Sequence, residues 1–217
     1  MRDNLNIIVL GPQGSGKGTQ AKLLVNNFNF IHLEIGRILR KISKKDTVLG
    51  KEVASIINKG ELVPVSMVAE IIEEELKAVS DDQDIVFDGT PRRLDEIDYL
   101  EKKLNKHERE ITHVFFISIT EEESIKRLQK RKVCLKCGTP FILGKTIEKD
   151  EVICPRCGGE VVTRQDENVE AIKKRLALYH KETSPVVNYY DKKGKLIKID
   201  GSQSIDEVFK EIVSYLK

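Results

Sequence analysis

Gly11-Pro-Gln-Gly-Ser-Gly-Lys17-Gly18-Thr19 lies between an apolar run, residues 7–10, and a helix-forming segment that begins near Gln20. A strand, a glycine-rich turn and a helix in that order make a cradle for phosphate. The glycines let backbone N–H groups close around phosphate oxygens, Lys17 reaches further phosphates, and the start of the helix favours negative charge. Gly11 and Gly16-Lys17 are spaced as in a P-loop, and Gly18 departs from the general pattern. The hydroxyl that a P-loop usually carries directly after its lysine arrives one residue later, at Thr19.

Working outward, the chain alternates short apolar runs with helical patterns, which predicts an α/β fold: a parallel five-stranded sheet flanked by helices. Strands are expected at 6–10, 31–34, 85–88, 113–118 and 196–200. Helices are expected at 19–27, 36–43, 50–59, 64–78, 94–104, 121–131, 168–190 and 204–215. Thr120 and Ser204 precede acidic first turns, and Glu207 sits at the capping-box position after Ser204. Two stretches, about 35–63 and 132–163, fit the layered pattern poorly and read as insertions.

Composition narrows the function classes. The 217 residues suffice for one domain with insertions, and 40% hydrophobic content argues against disorder. Apolar runs are too short to cross a membrane, and the first residues do not read as a signal peptide, so a cytoplasmic location is expected. Lys and Arg number 37 against 35 Asp and Glu, a balance that gives no general attraction to nucleic acid or to a membrane surface. Positive charge that matters must therefore be local.

The second insertion holds all four cysteines, as Cys134-Leu-Lys-Cys137 and Cys154-Pro-Arg-Cys157, with 16 residues between the pairs. Such knuckles supply four thiolates for a tetrahedral zinc, and Gly138 and Gly158 permit tight turns around it. Two disulfides or a redox pair are the alternatives. Four protein ligands leave no open position for water, so the zinc is expected to be structural, folding a small β module. Lys136, Lys145, Lys149 and Arg156 lie in the same region, but Phe141 is its only aromatic residue, so base stacking is not indicated.

Asp88-Gly-Thr-Pro-Arg92 ends the third expected strand. A carboxylate at that sheet edge can hold magnesium through water, which makes Asp88 the candidate partner for a nucleotide-bound Mg²⁺; a turn-forming Asp-Gly is the bland alternative. Arg92 is a fork-shaped cation suited to phosphate. Arg127 and Arg131 are expected on one helix face at i, i+4, with Arg164 and Arg175 beyond the cysteine insertion. Phosphoryl transfer uses such arginines, because its transition state spreads charge over oxygens.

Taken in order, these motifs resemble the adenylate kinase group of nucleoside monophosphate kinases in its zinc-lid form, along nearly the whole chain. The matching pieces are GPQGSGKGTQ, Gly36-Arg-Ile-Leu-Arg40, Gly60-Glu-Leu-Val63, DGTPR, Arg127-x-x-x-Arg131, the four cysteines, Thr163-Arg-Gln-Asp-Glu167, Arg175 and Asp200-Gly-Ser-Gln203. The resemblance implies a core (1–34, 64–130, 168–217), an acceptor-binding insertion (35–63) and a lid (131–167). It also implies reversible transfer of the terminal phosphoryl of Mg-ATP to AMP.

By position, Lys17, Arg92, Arg127, Arg164 and Arg175 would be catalytic. Gly14, Ser15, Gly16, Lys17, Gly18, Thr19, Arg127, Arg131, Phe141 and Gln203 would bind the donor. Ile35, Arg40, Glu61, Leu62, Val63, Gly89, Arg92, Glu96, Arg164 and Arg175 would bind the acceptor, with Asp166 and Glu167 hinging the lid or pairing with its arginines. A monomer is the default expectation.

The chain departs from the family pattern in the acceptor pocket. Ile35 replaces a threonine, Arg37 an acid, Thr90 a phenylalanine and Glu96 the glutamine that reads adenine. An ionised glutamate only accepts hydrogen bonds, which suits guanine's two donors better than adenine's edge, so a relaxed or GMP-shifted acceptor choice is expected as an alternative. Two rivals of other classes are a zinc-ribbon nucleic-acid binder, which near-zero net charge disfavours, and an NTPase switch, for which no water-activating residue is evident.

Overall fold

A computed structural model describes residues 4–59, 61–144, 146–148, 152–163 and 169–216. Gly60, Lys145, Lys149, Arg164, Asp166 and Glu167, singled out above, lie outside the described residues. The chain runs β1 (Asn6–Leu10), α1 (Lys17–Asn27), β2 (Phe30–Glu34), α2 (Ile35–Ile42), α3 (Val48–Asn58), α4 (Val65–Leu76), β3 (Asp84–Asp88), α5 (Leu94–Lys106), β4 (His113–Ser118) and α6 (Glu121–Gln129). It continues through β5 (Arg131–Cys134), β6 (Pro140–Ile142), β7 (Val161–Thr163), α7 (Val169–Leu178), α8 (Ser184–Lys192), β8 (Leu196–Asp200) and α9 (Ile205–Ser214).

Five strands form the expected parallel sheet in the order β2-β3-β1-β4-β8. All five residues of β1 are buried, as a central strand covered on both faces requires. Its side chains alternate between two cores. Ile7 and Val9 pack with Ala21 and Leu24 of α1 and Val208 and Ile212 of α9. Ile8 and Leu10 face Ile72 and Leu76 of α4, Ile97 and Leu100 of α5, and Val186 and Tyr190 of α8. The strand order reverses around β1, so the sheet opens at its carboxyl edge into the crevice where α/β folds bind ligands.

Caps hold the helices as the sequence suggests: Thr120 Oγ1 accepts from the Glu123 N–H, and Ser204 and Glu207 form a reciprocal capping box. Two expectations need correction. The helix expected at 121–131 ends at Gln129, and Arg131 opens β5, paired antiparallel with Ile142. The ladder of a second, three-stranded sheet, β6-β5-β7, overrides the local helical preference there. The helix expected at 168–190 is interrupted by a π-helical segment, Tyr179–Thr183, before α8 begins with Pro185 in its first turn. Proline lacks an N–H and its ring crowds the carbonyl four residues back, so the backbone widens locally instead of continuing as α.

The three-stranded sheet carries the cysteines. Cys134, Phe141, Ile147, Cys154 and Val161 make a small separate core. A cluster of this size contributes little against the ordering entropy of the surrounding loops, which a metal cross-link on the four cysteines would offset.

Candidate active site

The turn after β1 is shaped by close approach. A side chain on Gly11, at φ +146°, would lie 2.3 Å from the Ile117 carbonyl oxygen, so only glycine lets the loop pass over β4. Gly16 caps α1 in a left-handed conformation without a side-chain hydrogen bond, and the first turn of α1 carries no acid. The first residues of that helix border the cleft, where an anion would satisfy their unpaired N–H groups.

Lys17 Nζ donates to the carbonyls of Gly11 (2.7 Å) and Pro12 (2.8 Å). Its pKa is pushed down to about 8. Burial of the ammonium is the main cause; the Asp88 carboxylate opposes it, and the charges of Arg92, Arg131 and Arg175 add to it. Residues more than 150 positions apart in sequence thus focus positive charge on one lysine at the phosphate cradle.

Arg40, Arg92 and Arg127 are held in place by neighbouring groups. Arg92 Nε donates to the Gly89 carbonyl at 2.7 Å. Around Gly36, Arg40 Nη1 and Arg92 Nη2 come within 3.2 and 3.5 Å of where a β-carbon would stand, so the two guanidiniums converge over a spot that glycine leaves open. Arg127 pairs with Glu123 at 2.6 Å and donates to the carbonyls of Gly14 and Gly201, tying α6 to the P-loop turn and to the loop after β8.

Asp88 is buried at the end of β3, with Oδ2 3.2 Å from His32 Nε2. Burial alone would raise its pKa, but the hydrogen bond from His32 and the charges of Lys17 and Arg92 hold the carboxyl below its ordinary value, so it stays ionised. An ionised, buried carboxylate facing the phosphate cradle fits the chemistry of a water-held Mg²⁺. Glu96 is also buried and its pKa is raised, chiefly by desolvation. Its Oε2 accepts from the Arg92 N–H at 2.7 Å and from the Thr90 hydroxyl at 3.3 Å.

These groups line a single cleft of about 1960 Å³. Gly14, Ser15, Gly16, Lys17, Gly18, Thr19, Arg127, Arg131 and Gln203 border it, as do Ile35, Arg40, Glu61, Leu62, Val63, Asp88, Gly89, Arg92, Glu96 and Arg175. Arg164 falls outside the described residues. Phe141 differs from expectation. Strand alternation turns its ring into the core of the cysteine-bearing sheet, 6% exposed, while Pro140 and Ile142 face the cleft. Lys22, Glu34 and Lys174 also border the cleft and were not singled out in the sequence, where an isolated surface charge carries no motif.

The four cysteines are free, and one sulfur from each lies within 4.8 Å of the others. Cys134 and Cys157 are 3.5 Å apart and Cys137 and Cys154 3.8 Å. A tetrahedral zinc with bonds of about 2.3 Å separates its sulfurs by about 3.8 Å, so the thiols fit that ion and need little movement to hold it. Gly138 and Gly158 adopt φ of +69° and +65°, the left-handed turns expected after each pair.

The model of the family described as adenylate kinase matches residues 9–195. The chain belongs to the adenylate kinase family. It is 37% identical to the adenylate kinase of Caldanaerobacter subterraneus subsp. tengcongensis, over 96% of this chain and 94% of the relative. It is 38% identical to those of Staphylococcus epidermidis and Methanosarcina barkeri, over 98% of this chain and 99% of each relative. Within that family, this chain carries a four-cysteine cluster whose spacing fits a tetrahedral metal, and Ile35, Arg37, Thr90 and Glu96 border its cleft.

Proposed function

We propose that the protein transfers the terminal phosphoryl group of Mg-ATP reversibly to AMP, giving two ADP. The observation that carries this reading is the convergence of Arg92, Arg131 and Arg175 on Lys17 beside an ionised Asp88 in one cleft, in a member of this family. Little covalent chemistry falls to the protein in phosphoryl transfer; positioning and charge stabilisation do the catalysis.

The loop from Gly14 to Thr19 and the start of α1 bind the donor phosphates through backbone N–H groups. Lys17 follows the transferring group. Arg40 and Arg92 grip the acceptor's α-phosphate over Gly36, and Arg127, Arg164 and Arg175 neutralise the oxygens in flight. Asp88 holds Mg²⁺ through water, and that ion supplies charge neutralisation to the donor phosphates. Residues 35–63 form the acceptor-binding insertion and 131–167 a lid, pinned by zinc on the four cysteines, that excludes water so that the donor is not hydrolysed. The same proposal places the enzyme in the cytoplasm as a monomer. Among the described residues no helix is long and apolar enough to cross a membrane.

AMP is the acceptor we favour over GMP. Glu96 Oε2 already serves two internal donors, which leaves it less capacity for a guanine edge, and the relatives are named as adenylate kinases. Purified protein with Mg-ATP should form ADP rapidly with AMP and slowly with GMP, CMP and UMP. Comparable GMP turnover would reject the acceptor assignment, and no turnover with any acceptor would reject the kinase reading.

A further inference from the structure

The parallel register of β2 and β3 brings Asp88 together with two groups, His32 and Glu34, that the phosphate chemistry above leaves unused. Glu34 stands directly opposite Asp88, and His32 stands opposite Val86. His32 and Glu34 are two residues apart on one strand, so both point to the same face of the sheet as Asp88. One donor atom from each of the three lies within 4.8 Å of the others. His32 and Asp88 are nearly enclosed, with side-chain exposures of 8% and 9%. Glu34 and Asp88 open onto the cleft, which gives a path in from solvent.

Two carboxylates side by side on neighbouring strands repel each other unless positive charge lies between or beside them. In the structure Glu34 takes it from Arg40 at 2.9 Å and from Arg37 at 3.7 Å, while Asp88 takes it from Lys17 and Arg92 beside its hydrogen bond with His32. An imidazole nitrogen with two carboxylate oxygens is a ligand set of intermediate softness. Mg²⁺ prefers oxygen ligands and dehydrates reluctantly, whereas first-row transition ions take imidazole readily.

We propose that His32, Glu34 and Asp88 form an inner-sphere site for a divalent first-row transition cation, distinct in chemistry from a water-held Mg²⁺ at Asp88 alone. The cation replaces Arg40 and Arg37 as the counter-charge of Glu34. It displaces the hydrogen bond between His32 and Asp88 with direct bonds from both. Lys17 and Arg92 oppose any cation here, so ions that gain only carboxylate oxygens bind poorly and those that also gain the imidazole bind well.

The test uses the full chain with its cysteine site loaded with zinc and excess metal removed, in the absence of nucleotide. Mn²⁺ is titrated in, and the free ion is followed by its electron paramagnetic resonance signal. One Mn²⁺ per chain should bind, and about a tenfold excess of Mg²⁺ should fail to displace it. His32→Gln and Glu34→Gln should each weaken binding about tenfold or more while zinc content and far-UV circular dichroism stay unchanged. Co²⁺ should give weak d–d absorption without thiolate charge-transfer bands, which separates this site from the cysteines. No Mn²⁺ binding at millimolar concentration, ready displacement by Mg²⁺, or binding that survives both substitutions would overturn the proposal. None of these readouts needs turnover, so the site stands or falls apart from the reaction proposed above.

Discussion

Lys17 should take up a proton when nucleotide binds, and the structure sets how much. Its ammonium is held at about 8 by burial and by Arg92, Arg131 and Arg175. Phosphate oxygens against the ammonium favour the charged form and return it toward the ordinary lysine value of about 10.4. Proton uptake on binding is the protonated fraction in the complex minus that in the free protein. That difference is about 0.1 proton at pH 7, about 0.5 at pH 8 and about 0.9 at pH 9. The sign follows from linkage: the complex binds more protons than the free protein, so affinity falls as pH rises through the free-protein value. Binding at pH 9 should be about tenfold weaker than at pH 7. Calorimetric titration of Mg-ATP in two buffers of contrasting protonation enthalpy measures the uptake directly. The donor phosphates are fully ionised above pH 8 and add nothing to the rise. Lys17→Arg stays charged throughout this range and should abolish the pH-dependent part. A flat uptake from pH 7 to 9, or a rise that persists in Lys17→Arg, would refute the reasoning.

Three further outcomes are expected. Cys154→Ser should lower zinc below one per chain by elemental analysis and bring a lower-temperature unfolding step for the cysteine-bearing sheet; full zinc retention would contradict a four-thiolate site. Arg109 is buried at the sheet edge away from the cleft, donating to Asn6 Oδ1 and to the carbonyls of Gln83 and Ser80. Arg109→Ala orphans all three acceptors, so thermal unfolding should show a loss of about 3 kcal/mol, or roughly 10 °C in Tm, and a drop under about 2 °C would mean that water reaches them. Ser204→Ala removes one half of the capping box of α9 and should cost about 1 kcal/mol in denaturant unfolding; no measurable loss would mean that the Glu207 half holds the helix start alone.

Much of this protein was legible because its signals are contiguous. The apolar run of β1, the glycine-rich turn and Lys17 occupy a dozen neighbouring residues, and each type there answers a local need of backbone or phosphate. The cysteine pairs are likewise local, since a tetrahedral metal constrains spacing within each knuckle. Caps at Thr120 and Ser204 were readable for the same reason. Where a long-range partner intervened, local reading failed: β5 captured Arg131 from the preceding helix, and Phe141 turned inward because its strand alternates against a core that no short window displays.

The sequence by itself determined the sheet, the phosphate turn and the thiolate set, because short-range sterics, patterning and ligand chemistry select them. Only the tertiary structure decided which distant charges meet. The convergence of Arg92, Arg131 and Arg175 on Lys17, the hold of Arg127 on Gly14 and Gly201, and the alignment of Glu34 with Asp88 all depend on strand order and register. Register is set by packing summed over both faces of the sheet, a property that no single motif carries.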